Sequence, residues 1–127
     1  MKKILIVDDD RDVFESMKIV LEAEGYHVDW ATNGAEALQK ARAEKPDLVI
    51  LDVMMNSDDE GFQVTYTMKK DQALLAIPII MVTSVGTKTG FSFDKRKDQD
   101  FLPVNEFLEK PVDPKVLIDK VRENLGH

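Results

Sequence analysis

Four apolar stretches of this chain are each followed by residues that could do chemistry: in chain order these are Asp8-Asp9-Asp10, Asp52, Thr83-Ser84 and Lys110-Pro111. Carboxylates bind hard cations, a hydroxyl donates hydrogen bonds, and a lysine ammonium offsets negative charge. Together with a divalent ion, these groups are the set used in phosphoryl transfer. A carboxylate can itself be the nucleophile of that reaction and form an aspartyl phosphate.

Carboxylates that converge on one pocket require cations, since two unit charges 4 Å apart repel by about 4 kcal/mol at an effective dielectric near 20. Lys110 supplies one positive charge, and a divalent ion is the natural second. Magnesium suits carboxylate, water and phosphate oxygens best. The chain has no cysteine, and His27 and His127 are its only histidines, which argues against zinc.

Alternating strands and amphipathic helices must position these residues, a pattern typical of a parallel α/β sheet. The sequence predicts a doubly wound, flavodoxin-like fold with a five-stranded parallel sheet in the order 2-1-3-4-5. In that order strands one and three are neighbours at the point where ligands bind. The predicted strands are Ile4–Val7, Tyr26–Ala31, Leu48–Leu51, Ile77–Val82 and Phe107–Leu108.

Capping signals place the helices between the strands. Gly25 is the predicted stop of the first helix, and Asn33 with Glu36 resembles a capping box that opens the second. A third helix is predicted from about Phe62 to Lys70, and Asp113-Pro114 begins the last. The charged stretch Gly86–Val104 is predicted to be loop with one irregular helix at most.

Composition limits the possible function. The chain has 127 residues, which fits a single domain spanning 1–127, and a net charge of −7. We therefore expect no nucleic-acid binding through this domain. No apolar run is long enough to span a membrane, and the short run before Asp8 predicts a strand and not a signal peptide, so we expect a cytoplasmic protein.

Over nearly its whole length, the chain resembles the receiver domain of bacterial two-component response regulators. The resemblance is carried by four motifs in succession: Ile4–Asp10, Pro46–Met55, Pro78–Ser84 and Phe107–Pro111. It implies a signalling switch in a phosphorelay that catalyses only its own phosphorylation and dephosphorylation. Its implied partners are a sensor histidine kinase or phosphotransfer protein and a downstream protein that the sequence does not identify.

The resemblance also implies roles for the acidic residues. Asp52 is the implied phosphoacceptor, which attacks the phosphorus of a phosphohistidine on the kinase. Asp9, Asp52 and the backbone carbonyl of Met54 would bind magnesium directly, and Asp8 would act on the ion mainly through water.

The remaining motif residues resemble the family's switch. Thr83 and Lys110 would contact the phosphoryl group, and the peptide bond between Lys110 and Pro111 is expected to be cis. Phe107 matches the aromatic switch position, although it could also be a plain core aromatic. Movement of Thr83 and Phe107 would alter a docking surface formed by the family's fourth helix, fifth strand and fifth helix.

Three features set this chain apart from the family pattern. The loop Asn56–Gly61 lacks the usual proline and is more acidic, which would tighten cation binding or hinder an anionic phosphodonor. The segment 84–109 is longer than usual and is either a harmless insertion or a remodelled output surface. Met54 and Val85 are apolar where relatives tune hydrolysis, so we expect a long-lived phosphate.

Competing interpretations remain open. Asp8-x-Asp10 faintly resembles the motif of haloacid-dehalogenase-type phosphatases, which would make Asp8 the nucleophile. A flavodoxin-like cofactor binder shares the fold class but would need a phosphate-binding loop after strand one. A degenerate receiver would bind partners without being phosphorylated. The chain ends at His127, directly after the last helix, so we expect either a stand-alone receiver or a piece of a longer protein.

Overall fold

The computed structural model describes residues 2–52, 60–83, 106–109 and 112–125. Strands and helices alternate along the chain. The elements are β1 (Lys3–Val7), α1 (Arg11–Ala23), β2 (His27–Ala31), α2 (Gly34–Glu44), β3 (Leu48–Asp52), α3 (Glu60–Lys70), β4 (Ile79–Thr83), β5 (Glu106–Glu109) and α4 (Pro114–Leu125). Helix α4 is the predicted last helix, and it corresponds to the fifth helix of the family that the chain resembles. None of the described helices is both long enough and apolar enough to cross a membrane.

The five strands form one parallel sheet in the order β2-β1-β3-β4-β5, which confirms the predicted doubly wound topology. The three central strands are buried on both faces because side chains alternate between two apolar clusters. Ile4, Ile6 and Ile50 share one cluster with residues of α1 and α4. Leu5 and Val49 share the other with residues of α2 and α3.

Each of the five predicted strands is found, with one or both ends displaced by one or two residues. Two of these differences remove a buried apolar residue from the start of a strand. Tyr26 precedes β2, since its backbone N–H bonds to the carbonyl of Leu21 at the end of α1. Ile77 is buried but lies in the turn before β4, where its N–H bonds to Leu74. Apolar character alone thus placed both residues in strands, whereas their backbone hydrogen bonds are made locally.

The predicted helix ends are confirmed in their main features. Gly25 follows α1 with φ of 92°, a conformation that favours glycine. The Asp113 carboxylate accepts from the backbone N–H groups of Lys115 and Val116, which caps α4 in front of Pro114. Helix α3 begins at Glu60, two residues earlier than predicted.

The cap of α2 differs from the reciprocal box that the sequence suggested. The Asn33 side chain accepts from the Glu36 N–H at 2.8 Å, as expected of an N-cap residue. The Glu36 carboxylate, however, accepts from the N–H of Thr32 at 2.7 Å and from the Thr32 hydroxyl at 3.0 Å. The Glu36 side chain therefore bonds to the residue before the N-cap, and this contact connects the end of β2 to the first turn of α2.

Two departures from the family pattern fall largely on residues that are not described. Of the long segment 84–109, only β5 (Glu106–Glu109) is described, and the predicted loop Gly86–Val104 lies wholly outside the described residues. Of the acidic loop Asn56–Gly61, only Glu60 and Gly61 lie within them, in the first turn of α3.

Removing the α2 cap tests the local structure. We expect Asn33→Ala to lower the free energy of unfolding by about 1 kcal/mol, because the Glu36 N–H loses its partner. Urea unfolding followed by circular dichroism measures this. Gln39→Ala, at an exposed position of the same helix, is the matched control and should change stability by less than about 0.5 kcal/mol. Equal effects would contradict the cap.

Glu36 predicts a dependence of stability on pH. Its hydrogen bonds from the Thr32 N–H and hydroxyl, and then the nearby Lys40 ammonium, lower the pKa of Glu36. A carboxyl with a lowered folded-state pKa stabilises the native state above its unfolded pKa, and this stabilisation is lost as the pH falls through the folded pKa. In Glu36→Gln, the free energy of unfolding should therefore fall less steeply than in wild type between about pH 5 and 3. Parallel curves from urea unfolding at several pH values would refute this.

Candidate functional site

The acidic residues meet because β1 and β3 are neighbouring parallel strands. The last pair in their register joins Val7 to Leu51, so the next residues along the two strands are Asp8 and Asp52. Asp9 follows Asp8 at the same edge of the sheet. One carboxylate oxygen from each of Asp8, Asp9 and Asp52 lies within 4.8 Å of the others.

The three carboxylates differ in exposure. Asp8 is fully buried, Asp52 is 4% exposed and Asp9 faces solvent. The Asp10 N–H donates to Asp8 Oδ1 at 2.8 Å, which fixes the orientation of the buried carboxylate. The cluster is thus buried on its Asp8 and Asp52 side and open on its Asp9 side.

Asp10 has a separate, structural task. It is the N-cap of α1, and its carboxylate accepts from the N–H groups of Asp12 and Val13 at 2.9 and 3.4 Å. The third aspartate of the run is therefore a helix cap. Three consecutive aspartates therefore divide into a buried anchor, an exposed ligand candidate and a cap.

The donor set fits a hard divalent cation. At the effective dielectric of a protein surface, carboxylates this close repel by about 3–4 kcal/mol per ionised pair. Opposite ligands of magnesium are about 4.2 Å apart, twice its usual bond length. The carboxylate oxygens of Asp8, Asp9 and Asp52, which lie within 4.8 Å of one another, are close to that spacing. Each of these residues therefore offers one oxygen to a hard divalent cation such as magnesium.

The sequence did not reveal that Trp30 contacts this cluster. Its indole Nε1–H donates to the backbone carbonyl of Asp8 at 2.8 Å, and its ring stacks on Phe14 with centroids 4.6 Å apart. The signal in the sequence was weak, since an aromatic residue in a strand usually indicates only core packing. The register of β2 against β1, which puts Ala31 opposite Val7, was needed to place Trp30 near Asp8.

A polar network holds the main chain on either side of Trp30. The Lys40 ammonium donates to the carbonyl of Trp30 and lies 3.3 Å from Asp29 Oδ1. Burial would raise the pKa of Asp29, but the Trp30 N–H, Glu44 and Lys40 outweigh it and lower the pKa. The hydrogen bond shared with Asp29, together with burial, raises the pKa of Glu44. These contacts fix the edge strand beside the acidic cluster.

The other predicted site residues are only partly placed. Thr83 is the last residue of β4, one position past the pairing of Asp52 with Val82, and its side chain lies outside the described part. Phe107 lies in β5 opposite Met81, again without a described side chain. Met54, Lys110 and the Lys110–Pro111 peptide fall outside the described residues. The structure thus brings together the three aspartates of the predicted site.

Comparison with known proteins identifies the family of the chain. The family model of the response regulator receiver domain matches residues 4–122. Protein PilH of Pseudomonas aeruginosa is 36% identical over 126 residues, covering 99% of both chains. The alkaline phosphatase synthesis transcriptional regulatory protein PhoP of Bacillus subtilis is also 36% identical, over 95% of this chain. This chain spans only 47% of PhoP.

A solved structure gives the same result. The chemotaxis response regulator CheY4 of Vibrio cholerae superposes with a TM-score of 0.84 at 30% identity, over 98% of this chain and 99% of that one. The family match decides against the two alternatives of a phosphatase and a cofactor binder. Receiver domains are signalling switches and not classical enzymes, and they bind magnesium through acidic residues. The parallel sheet, the aspartates at its carboxyl edge and the match over residues 4–122 establish that this chain belongs to the receiver domain family of two-component response regulators.

Proposed function

We propose that this chain is an active phosphoacceptor, in which Asp52 takes a phosphoryl group from a phosphohistidine in the presence of magnesium. The donor is a sensor histidine kinase or a phosphotransfer protein. The observation that carries the proposal is the convergence of Asp8, Asp9 and Asp52 within 4.8 Å at the carboxyl edge of the sheet. In a receiver that no longer accepts phosphate, the three carboxylates would serve no reaction. Their mutual repulsion would only lower the stability of the fold when no cation is bound.

Asp52 performs the chemical step. A carboxylate oxygen of Asp52 attacks the phosphorus, and the bond between phosphorus and the histidine nitrogen breaks. The nitrogen keeps the electron pair, and the product is a mixed anhydride between the Asp52 carboxyl and phosphate. Asp52 is suited to this role because it lies at the end of a buried strand that holds its main chain rigidly beside β1 and β4.

Asp9 and Asp52 would hold magnesium directly, with the Met54 carbonyl as a further ligand and Asp8 acting through water. The bound ion supplies positive charge that offsets both the carboxylates and the phosphoryl oxygens. The exposure of Asp9 supports its direct binding, because an exposed carboxylate can reach an entering ion. One oxygen of Asp8 already accepts from the Asp10 N–H at 2.8 Å, which supports an indirect part for Asp8.

Thr83 and Lys110 would bind the phosphoryl oxygens once Asp52 is modified. Thr83 and Phe107 would then move together and alter the docking surface that includes β5 and α4. The position of Thr83 one residue past the partner of Asp52 supports its share in this role. The proposed output is therefore binding to a downstream protein partner.

The proposed setting is that of a single domain in the cytoplasm. It would meet a kinase or phosphotransfer protein through the open edge beside Asp9, and it would not bind nucleic acid itself. The net charge of −7 supports the second point, because a nucleic-acid interface needs a basic face.

Phosphorylation of the isolated chain tests the proposal. Incubation with acetyl phosphate and magnesium should add one phosphoryl group to wild type and none to Asp52→Ala, as measured by intact-mass spectrometry. Asp119→Asn, at an exposed aspartate on α4, is the matched control and should be modified as wild type is. Omission of magnesium should greatly reduce the adduct.

Other outcomes would overturn the proposal. An adduct that persists in Asp52→Ala would place the acceptor elsewhere. If wild type gains no phosphate and also fails to bind beryllofluoride, which excludes fast hydrolysis as the reason, the chain is a binding module that works without phosphorylation.

The lifetime of the phosphate gives a further prediction. Met54 and Val85 lie outside the described residues, but neither side chain can orient a water molecule by hydrogen bonding. We therefore expect slow hydrolysis, and Met54→Glu should shorten the half-life by offering a polar group there. The half-life is followed by mass spectrometry after removal of the phosphodonor. Rapid loss of phosphate from wild type would refute the prediction.

A further inference from the structure

We propose that Trp30 is a positioning residue for the ion site: its indole N–H orients the peptide between Asp8 and Asp9 and thereby helps to hold the Asp9 carboxylate where it can bind the ion. The inference rests on the proposed function, since it assigns Trp30 a part in the binding of magnesium at the acidic cluster. Trp30 would not touch the ion or the phosphoryl group and would act only through Asp8 and Asp9.

The geometry of the peptide bond carries the inference. The indole Nε1–H of Trp30 donates to the Asp8 carbonyl oxygen at 2.8 Å. That oxygen lies in one rigid plane with the N–H and Cα of Asp9. A hydrogen bond that holds the oxygen therefore limits rotation of the whole plane. It thereby fixes the position of the Asp9 Cα and the direction of the N–Cα bond, from which the Asp9 side chain projects.

Asp9 needs such an anchor because the sheet no longer holds it. The register of β1 ends at Val7 against both β2 and β3. The Asp8 N–H still bonds to the carbonyl of Ala31 at 3.0 Å, but the following peptide lies beyond both ladders. Asp9 is also exposed, so core packing does not fix its side chain. Through its indole N–H, Trp30 of β2 holds the peptide that follows Asp8, one peptide beyond the last backbone hydrogen bond between β1 and β2.

The indole is itself held firmly enough to serve as an anchor. Its ring stacks almost parallel on Phe14, with an angle of 7° between the planes. The backbone of Trp30 donates to the Asp29 carboxylate at 2.8 Å and accepts from the Lys40 ammonium. Trp30 is therefore fixed through its ring to α1 and through its main chain to α2.

The alternative is that Trp30 only fills space between β2 and α1. Packing and positioning predict different consequences. If Trp30 only packs, its replacement should lower the midpoint of thermal unfolding, and the affinity for magnesium should fall only as far as the fold is destabilised. A positioning role makes the loss of the single N–H appear in ion affinity even where the ring contact with Phe14 is kept.

Replacement of the N–H alone separates the two roles. In one variant, Trp30 is replaced by 3-benzothienylalanine, which keeps the shape of the ring but carries sulfur in place of the N–H. Trp30→Phe is a second variant that also lacks the donor. We expect both to raise the dissociation constant for magnesium by roughly 10-fold, the low end for loss of a group that orients a metal ligand. The constant is read from amide NMR signals during titration with magnesium chloride.

Leu74→Ala provides the matched control. Leu74 is fully buried in the turn before β4, in the apolar cluster that does not include Trp30, so its truncation should lower the midpoint of thermal unfolding more than the benzothienyl variant does. Its dissociation constant for magnesium should stay near that of wild type. This crossed pattern, with affinity lost in one variant and stability in the other, is the expected result.

Two results would overturn the inference in distinguishable ways. If wild type and the benzothienyl variant bind magnesium equally, Trp30 is a packing residue and the proposed function stands. If wild type itself does not bind magnesium, the proposed function fails and the inference fails with it.

Discussion

The mutual repulsion of three carboxylates at one edge of the sheet is the constraint on which the structure depends. Asp8, Asp9 and Asp52 lie within 4.8 Å of one another, and two of them are almost fully buried. Such an arrangement opposes folding unless a cation enters or the surrounding structure is rigid enough to hold the charges in place. The fold supplies the rigid surroundings, and the proposed chemistry uses the cation.

Rigidity comes from the sheet and the helices that cover it. The strands β1 and β3 are buried on both faces, so their ends cannot shift without disturbing two apolar clusters. Hydrogen bonds continue past the end of β1, where the Asp8 N–H donates to the Ala31 carbonyl and the Asp8 carbonyl accepts from the indole N–H of Trp30. Asp10 then starts α1 directly after the cluster. Of the three carboxylates, that of Asp9 is the most exposed, so an ion or a phosphodonor would meet it first.

Much of this arrangement could be predicted from the sequence because it depends on apolar periodicity and strand order. Runs such as Ile4–Val7 and Leu48–Leu51 predict buried parallel strands, and strand order alone then brings Asp8 and Asp52 together. Contacts that depend on register and side-chain rotamers could not be predicted. The hydrogen bond from the Trp30 indole to the Asp8 carbonyl is one such contact. The bond from the Thr32 N–H to the Glu36 carboxylate, where the capping box predicted the Asn33 N–H as donor, is another. The roles of Thr83, Phe107 and Lys110 stay predictions.

Trapping the phosphorylated side chain tests most directly whether Asp52 is the acceptor. Borohydride reduces an acyl phosphate to an alcohol, so an aspartyl phosphate becomes homoserine at the position that carried it. After phosphorylation with magnesium and acetyl phosphate, reduction and peptide mass spectrometry should find homoserine at position 52. Homoserine at position 8 or 9 would contradict the assignment, because the nucleophile would then be an aspartate that follows β1 and not the one that ends β3.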